Sequence, residues 1–187
     1  MNELESLQQA ERGPDGNLFL IGFMGAGKST VAQALSALYG MEVVEMDEAI
    51  ERQAGMPISD IFATLGEEAF RQMETRLLTT LEPGQRCVVS CGGGVAMREI
   101  NVQAMRRSGS IVWLTATPET ILARVAGSDS RPLLEGHKDI GYIQSMMAQR
   151  QPKYEAAADV AVATDGKDAA QICSDILAAL QARRQEG

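Results

Sequence analysis

Glycine, lysine and hydroxyl residues in Gly22-Phe23-Met24-Gly25-Ala26-Gly27-Lys28-Ser29-Thr30 fall at the spacing G-x-x-x-x-G-K-[ST], which suits a polyphosphate. Backbone N–H groups of residues 25–29 can curl around a phosphate only where no Cβ obstructs them, and a helix opening near Lys28 adds the positive end of its dipole. The Lys28 ammonium would reach the β and γ oxygens of a nucleotide, and the Ser29 hydroxyl would ligate Mg²⁺. Further on, Glu45 and Asp47 stand two residues apart as the chain leaves an apolar run. In an extended segment that spacing points both carboxylates the same way. One could hold the water shell of Mg²⁺ while the other accepts a proton from a substrate hydroxyl; a merely solvated acid pair has the same spacing. A third set is Ser90-Cys91-Gly92-Gly93-Gly94-Val95. Three consecutive glycines cost backbone entropy, and what they permit is close approach of main chain to a ligand, with a flexible turn as the plainer alternative.

These groups need elements to hold them. Residues 17–21 are an apolar run of strand length, and residues 31–39 repeat apolar side chains at helical spacing, so the glycine loop has the strand and helix on either side that its chemistry requires. Further strands are expected at 41–46, 87–90, 110–115 and 159–164. Helices are expected at 48–54, 58–64, 67–81, 98–107, 118–125, 140–149 and 167–183. Thr117-Pro118-Glu119 places a capping hydroxyl before a proline at the first helical position, and Gly109 follows Arg106-Arg107, where cations suit a helix C-terminus. Strands alternating with helices imply an α/β fold with a parallel sheet covered on both faces, whose ligands bind at the carboxyl ends of the strands. Residues 1–16 are polar, contain Gly-Pro-Asp-Gly, and read as a flexible extension with a frayed helix over 4–11; residues 17–187 read as one domain.

Composition narrows the function further. A net charge of −8 and a pI near 4.7 argue against a nucleic-acid-binding surface, which demands clustered Lys and Arg. The charge of an anionic ligand must then be met locally. Cys87, Cys91 and Cys173 form no C-x-x-C pair, so buried free thiols in a reducing cytoplasm are expected rather than a zinc site or a disulfide framework. No apolar run approaches membrane-spanning length and the N-terminus lacks a signal-peptide pattern, which together suggest a cytoplasmic protein.

In order along the chain, GFMGAGKST, the acidic pair with its following Ile50-Glu51, ISDIFATLGEEAFRQME, the triglycine, SRPLL and Arg-x-Pro-x-Tyr at 150–154 resemble the shikimate kinases. These lie within the nucleoside-monophosphate-kinase-like group of P-loop proteins. The resemblance covers residues 17 to about 180. It implies a three-layer α-β-α sandwich with a five-stranded parallel sheet in the order 2-3-1-4-5, a mobile lid over about 127–137, and a monomer. The activity it implies is ATP-dependent phosphorylation of the 3-hydroxyl of shikimate, with Mg²⁺ and with no nucleic acid or membrane partner. By the same resemblance Asp47 binds substrate hydroxyls and is the base for the 3-hydroxyl. Arg71 and Arg150 take the shikimate carboxylate, which two planar guanidinium forks would orient. Glu74, three residues beyond Arg71, could hold that arginine. Gly92, Gly93 and Gly94 contact substrate; Gly25, Ala26, Gly27, Lys28, Ser29 and Thr30 bind ATP; Arg124 packs on the adenine; and Arg131, carried by the lid, stabilises the moving phosphoryl group. Phe62 and Phe70 fall where the family has apolar walls, though ordinary core would also suit them. His137 has no family role and is expected at the surface.

One departure stands out. The first acid of the pair is usually aspartate in the family, and here it is Glu45, one methylene longer. An outer-sphere contact through water can absorb the difference, because Mg²⁺ keeps several waters. A kinase of another small acid such as gluconate is the alternative within the class. A switch without turnover is the alternative outside it, disfavoured by the absence of N-K-x-D and by two arginines with no purpose there.

Overall fold

The computed structural model describes residues 14–125 and 139–186, without the side chain at 186. The expected lid at 127–137, with Arg131 and His137, and the extension over residues 1–13 lie outside the described residues. The strands are β1 (Asn17–Ile21), β2 (Glu42–Glu45), β3 (Cys87–Ser90), β4 (Gly109–Thr115) and β5 (Val160–Ala163). All neighbouring pairs are parallel, and the sheet order is β2-β3-β1-β4-β5, as the resemblance implied. The helices are α1 (Lys28–Tyr39), α2 (Met46–Ala54), α3 (Ile58–Thr64), α4 (Gly66–Thr80), α5 (Glu99–Ser108), α6 (Pro118–Val125), α7 (Ile140–Ala157) and α8 (Ala169–Glu186).

Strand β1 explains the layering. All five of its residues are buried, and successive side chains alternate between faces. Leu18 and Leu20 pack with Val31 and Leu35 of α1 and with Ile172 and Ile176 of α8 on one face. Phe19 and Ile21 pack with Ile50, Ile61, Leu78 and Met105 of α2 to α5 on the other. Burying each of the large β1 side chains contributes about 1.5–3 kcal/mol, so the central strand is the firmest part of the frame. The glycine loop begins directly at its carboxyl end.

Two boundaries depart from sequence expectation in ways that bear on the site. Helix α2 starts at Met46, so Asp47 lies in a first helical turn and not in an extended segment. Glu45 alone ends the strand, and the two carboxylates are separated by the strand-to-helix bend rather than aligned by pleat. Helix α7 runs through Pro152 to Ala157, eight residues past its expected end at 149. A proline inside a helix removes one N–H donor and crowds the preceding turn, but burial of Tyr154 and Ala157 in the core carries the helix past it. Thr117 caps α6 as expected, its hydroxyl accepting from the Thr120 N–H at 3.3 Å. Gly109 follows α5 as expected, its N–H closing on the Met105 carbonyl with Arg106 and Arg107 in the last turn, and it also opens β4, where its backbone runs against Asn17 too closely for any side chain. Asp15 pairs with Arg184 at 2.9 Å, fastening residues just before β1 to the end of α8. All three cysteines are buried and unpaired, and burial lifts the Cys173 thiol to about 11.

Candidate active site

A cleft of about 1140 Å³ opens along the carboxyl ends of the strands and contains every sequence-predicted site residue among the described ones. At one end the glycine loop turns through Gly25 (φ 77°) and Gly27 (φ 96°), left-handed conformations that side chains resist. Ala26 N–H closes the turn on the Phe23 carbonyl at 3.2 Å, and α1 begins at Lys28. Lys28 Nζ folds back over the loop, donating to the carbonyls of Gly22 and Phe23 at 2.9 and 3.0 Å. Arg124 is pinned here too. Its Nη1 donates to Gly25 O at 3.1 Å and Thr164 Oγ1 at 3.0 Å, and its Nη2 donates to Thr164 O at 3.1 Å, which joins the loop to the end of β5.

At the middle of the cleft three side chains from three elements meet. Ser29 Oγ donates to Glu45 Oε2 at 2.9 Å and lies 3.2 Å from Ser90 Oγ at the end of β3. The other carboxylate oxygen, Glu45 Oε1, is buried without a hydrogen-bond partner. Two hydroxyls and a carboxylate with an unused lone pair form an all-oxygen donor set, which fits a hard cation such as Mg²⁺ that also keeps several waters. The longer side chain at position 45 therefore reaches Ser29 directly.

The far end is built from α2, α4, α7 and the triglycine. On α4, Glu67, Arg71 and Glu74 share one helix face by their spacing of four and three. Arg71 Nη1 donates to Glu74 Oε2 at 2.9 Å, while its Nε and Nη2 donate to Glu67 Oε1 at 3.2 and 3.0 Å. Burial works against the Arg71 charge, but the two carboxylates together hold its pKa above the ordinary value. Glu74 is fully buried, and its Oε1 has no hydrogen-bond partner. Burial pushes the Glu74 carboxyl above its ordinary range; Arg71 pulls it down and the neighbouring Asp47 charge pushes it up again. Both partners are thus shifted upward. A guanidinium stays charged at any accessible pH, so titration of the pair is titration of Glu74.

The glycines let charged side chains stand close over the turn. A Cβ at Gly92 would lie 2.9 Å from Glu74 Oε1 and 3.3 Å from Asp47 Oδ1, so both carboxylates face that residue. A Cβ at Gly94 would run into the Arg71 guanidinium, and one at Gly93 would sit 3.3 Å from Arg150 Nη1. Arg150 and Tyr154, four apart on α7, both reach this turn. Tyr154 Oη donates to Gly93 O at 2.6 Å, and the Arg150 guanidinium stands 5.6 Å from the centre of the Phe23 ring. Downstream, Asn101 Nδ2 donates to Val95 O at 3.1 Å and fixes the exit from the turn. Phe62 and Phe70 line the same end with ring centres 4.9 Å apart; Phe70 is buried and Phe62 exposed.

A model of the family described as shikimate kinase matches residues 24–181. The chain belongs to the shikimate kinase family. It is 40% identical over 167 residues to the shikimate kinase of Moorella thermoacetica, covering 89% of this chain and 95% of that one. With the shikimate kinase of Symbiobacterium thermophilum the identity is 38% over 173 residues, covering 91% and 99%. Among solved structures it is similar to the shikimate kinase of Acinetobacter baumannii in complex with shikimate, at a TM-score of 0.82 and 32% identity, covering 92% of this chain and 95% of that one. Glu67, Tyr154 and Thr164 make contacts in the site that the sequence did not assign to them, although Glu67 and Tyr154 lie within the motifs that carry the family resemblance. The signal for the first two was their spacing, four residues before Arg71 and four after Arg150, and Thr164 carried no signal of its own. No described helix is long and apolar enough to cross a membrane.

Proposed function

We propose that the chain transfers the γ-phosphoryl group of ATP to the 3-hydroxyl of shikimate, giving shikimate 3-phosphate and ADP. The observation that carries this reading is the meeting, in one cleft with the phosphate loop, of Asp47, Arg71, Arg150 and the triglycine. That set matches an acceptor offering a hydroxyl and a carboxylate on a small rigid ring. The similar shikimate kinase of Acinetobacter baumannii, solved in complex with shikimate, supports the choice of acceptor.

In this reading Gly25 to Thr30 and Lys28 cradle the phosphates, and Arg124 flanks the adenine. Arg71 and Arg150 bind the carboxylate, and backbone N–H groups of Gly92 to Gly94 approach the ring. Fixed at both ends, the acceptor presents its 3-hydroxyl to the Asp47 carboxylate, which accepts the proton as the oxygen attacks phosphorus. Phosphoryl transfer has a loose transition state, so positioning and charge stabilisation dominate, and a carboxylate base contributes about 10²–10⁴-fold. Ser29 and Glu45, the latter through water, would hold Mg²⁺, which supplies charge neutralisation at the phosphate oxygens. Arg131 lies outside the described residues and is assigned to the transferred phosphoryl group.

Coupled detection of ADP with shikimate, ATP and Mg²⁺ tests the proposal. Turnover dependent on shikimate is expected. No turnover at saturating acceptor, or phosphorylation of gluconate in its place, overturns it.

A further inference from the structure

We propose that Glu67 is an internal rival for the acceptor's carboxylate, occupying the edge of Arg71 that the acceptor takes and returning to it as product leaves. This rests on the assignment of Arg71 to the acceptor carboxylate. Arg71 is held by two carboxylates of opposite character. Glu74 is fully buried and cannot leave Nη1 without stranding a charge, whereas the Glu67 side chain is 66% exposed and can swing into water at little cost. The buried partner fixes the guanidinium, and the exposed one is replaceable.

Geometry restricts where an incoming carboxylate can bind. Nη1 is engaged by Glu74 and lies over Gly94, while Nε and Nη2 form the edge that Glu67 Oε1 spans at 3.2 and 3.0 Å. That edge is a two-donor fork suited to a carboxylate. Glu67 itself lines the cleft. A carboxylate-bearing acceptor therefore exchanges one ion pair for another, and its net affinity is lower than the fork alone would give. The phosphorylated product keeps its carboxylate, so the same exchange run backwards favours release. An exposed i,i+4 ion pair on a helix is ordinarily weak, and the effect is correspondingly modest. Its neighbour Glu68 pairs with Arg98 at 2.9 Å and makes no hydrogen bond to Arg71, which makes it a matched control.

The test is calorimetric titration of shikimate into the wild-type chain and into Glu67→Gln and Glu68→Gln, with thermal unfolding of each to verify folding. Glu67→Gln is expected to tighten shikimate binding about two- to tenfold and to strengthen product inhibition, with the KM for ATP unchanged; Glu68→Gln is expected to bind as wild type does. Unchanged or weaker binding by Glu67→Gln overturns the inference and makes Glu67 a support for Arg71. Equal tightening in both variants overturns it in favour of a general charge effect. Absence of shikimate binding from all three proteins overturns the acceptor assignment and this inference with it.

Discussion

The two ends of the cleft are built on opposite plans. The phosphate end is one continuous stretch, residues 22–30, and its ligand-facing surface is mostly backbone. The acceptor end draws on α2, α4, α7 and the triglycine, and its polar groups are charged side chains from separate elements, Asp47, Arg71, Glu74 and Arg150, beside Phe62 and Phe70. A loop made of backbone N–H groups needs only glycines in the right places and a strand and helix to hang between. A carboxylate site in an acidic protein needs its arginines kept charged, oriented and clear of neighbouring acids, which takes several elements. The phosphate end is accordingly generic and the acceptor end specific.

Substitutions can break this contrast, and the largest effect is expected at Asp47. Asp47→Asn removes the proposed proton acceptor and should lower kcat at least ~10²-fold, with little change in the KM for ATP; steady-state kinetics with full activity retained would sink that role. Gly94→Ala comes next. Its methyl group must displace the Arg71 guanidinium, so the KM for shikimate should rise roughly 10–100-fold, the worth of one or two charge-assisted hydrogen bonds. The KM for ATP should hold, and if both constants rise together the two ends are not independent. Smaller still, Glu45→Asp shortens a carboxylate that now reaches Ser29, and the Mg²⁺ dependence of the rate should change by less than about tenfold. Titrating the metal in the assay measures this.

The smallest effect is on stability and concerns Glu74. Its folded carboxyl lies above the ordinary value of 4.5 because of burial, so the folded state favours the protonated form. That contribution is fully present below about pH 4.5 and is lost as pH rises through the higher folded value. The stability of the wild-type chain relative to Glu74→Gln should therefore decline as pH rises from about 4.5, measured by chemical denaturation across pH 4 to 7. A flat difference would mean that Arg71 compensates burial in full.

What was legible beforehand follows the same division. Residues 17–21 and 31–39 announced strand and helix around the glycine loop, and the loop's place at the end of a central buried strand follows directly. Glu45 and Asp47 were visible as a pair, but they do not point together: Glu45 meets Ser29 while Asp47 faces Gly92. Helix α2 begins between them, since Met46 and Ile50 are at helical spacing and both buried. Arg71 and Arg150 came from family resemblance alone, for they lie 79 positions apart and no local pattern links them. Tyr154 was visible in the Arg-x-Pro-x-Tyr motif, but its bond to the Gly93 carbonyl was not, because the helix was expected to end at 149 and in fact continues to Ala157.

The sequence by itself therefore determined the phosphate loop, the alternation of strands and helices and the family, because each is written in spacing over a few residues or in ordered motifs. Only the tertiary structure decided which acids stand over Gly92, which edge of Arg71 Glu67 occupies, and why a side chain at Gly94 must displace Arg71. Those are matters of contact between residues far apart in the chain, where an ångström decides between a hydrogen bond and a collision.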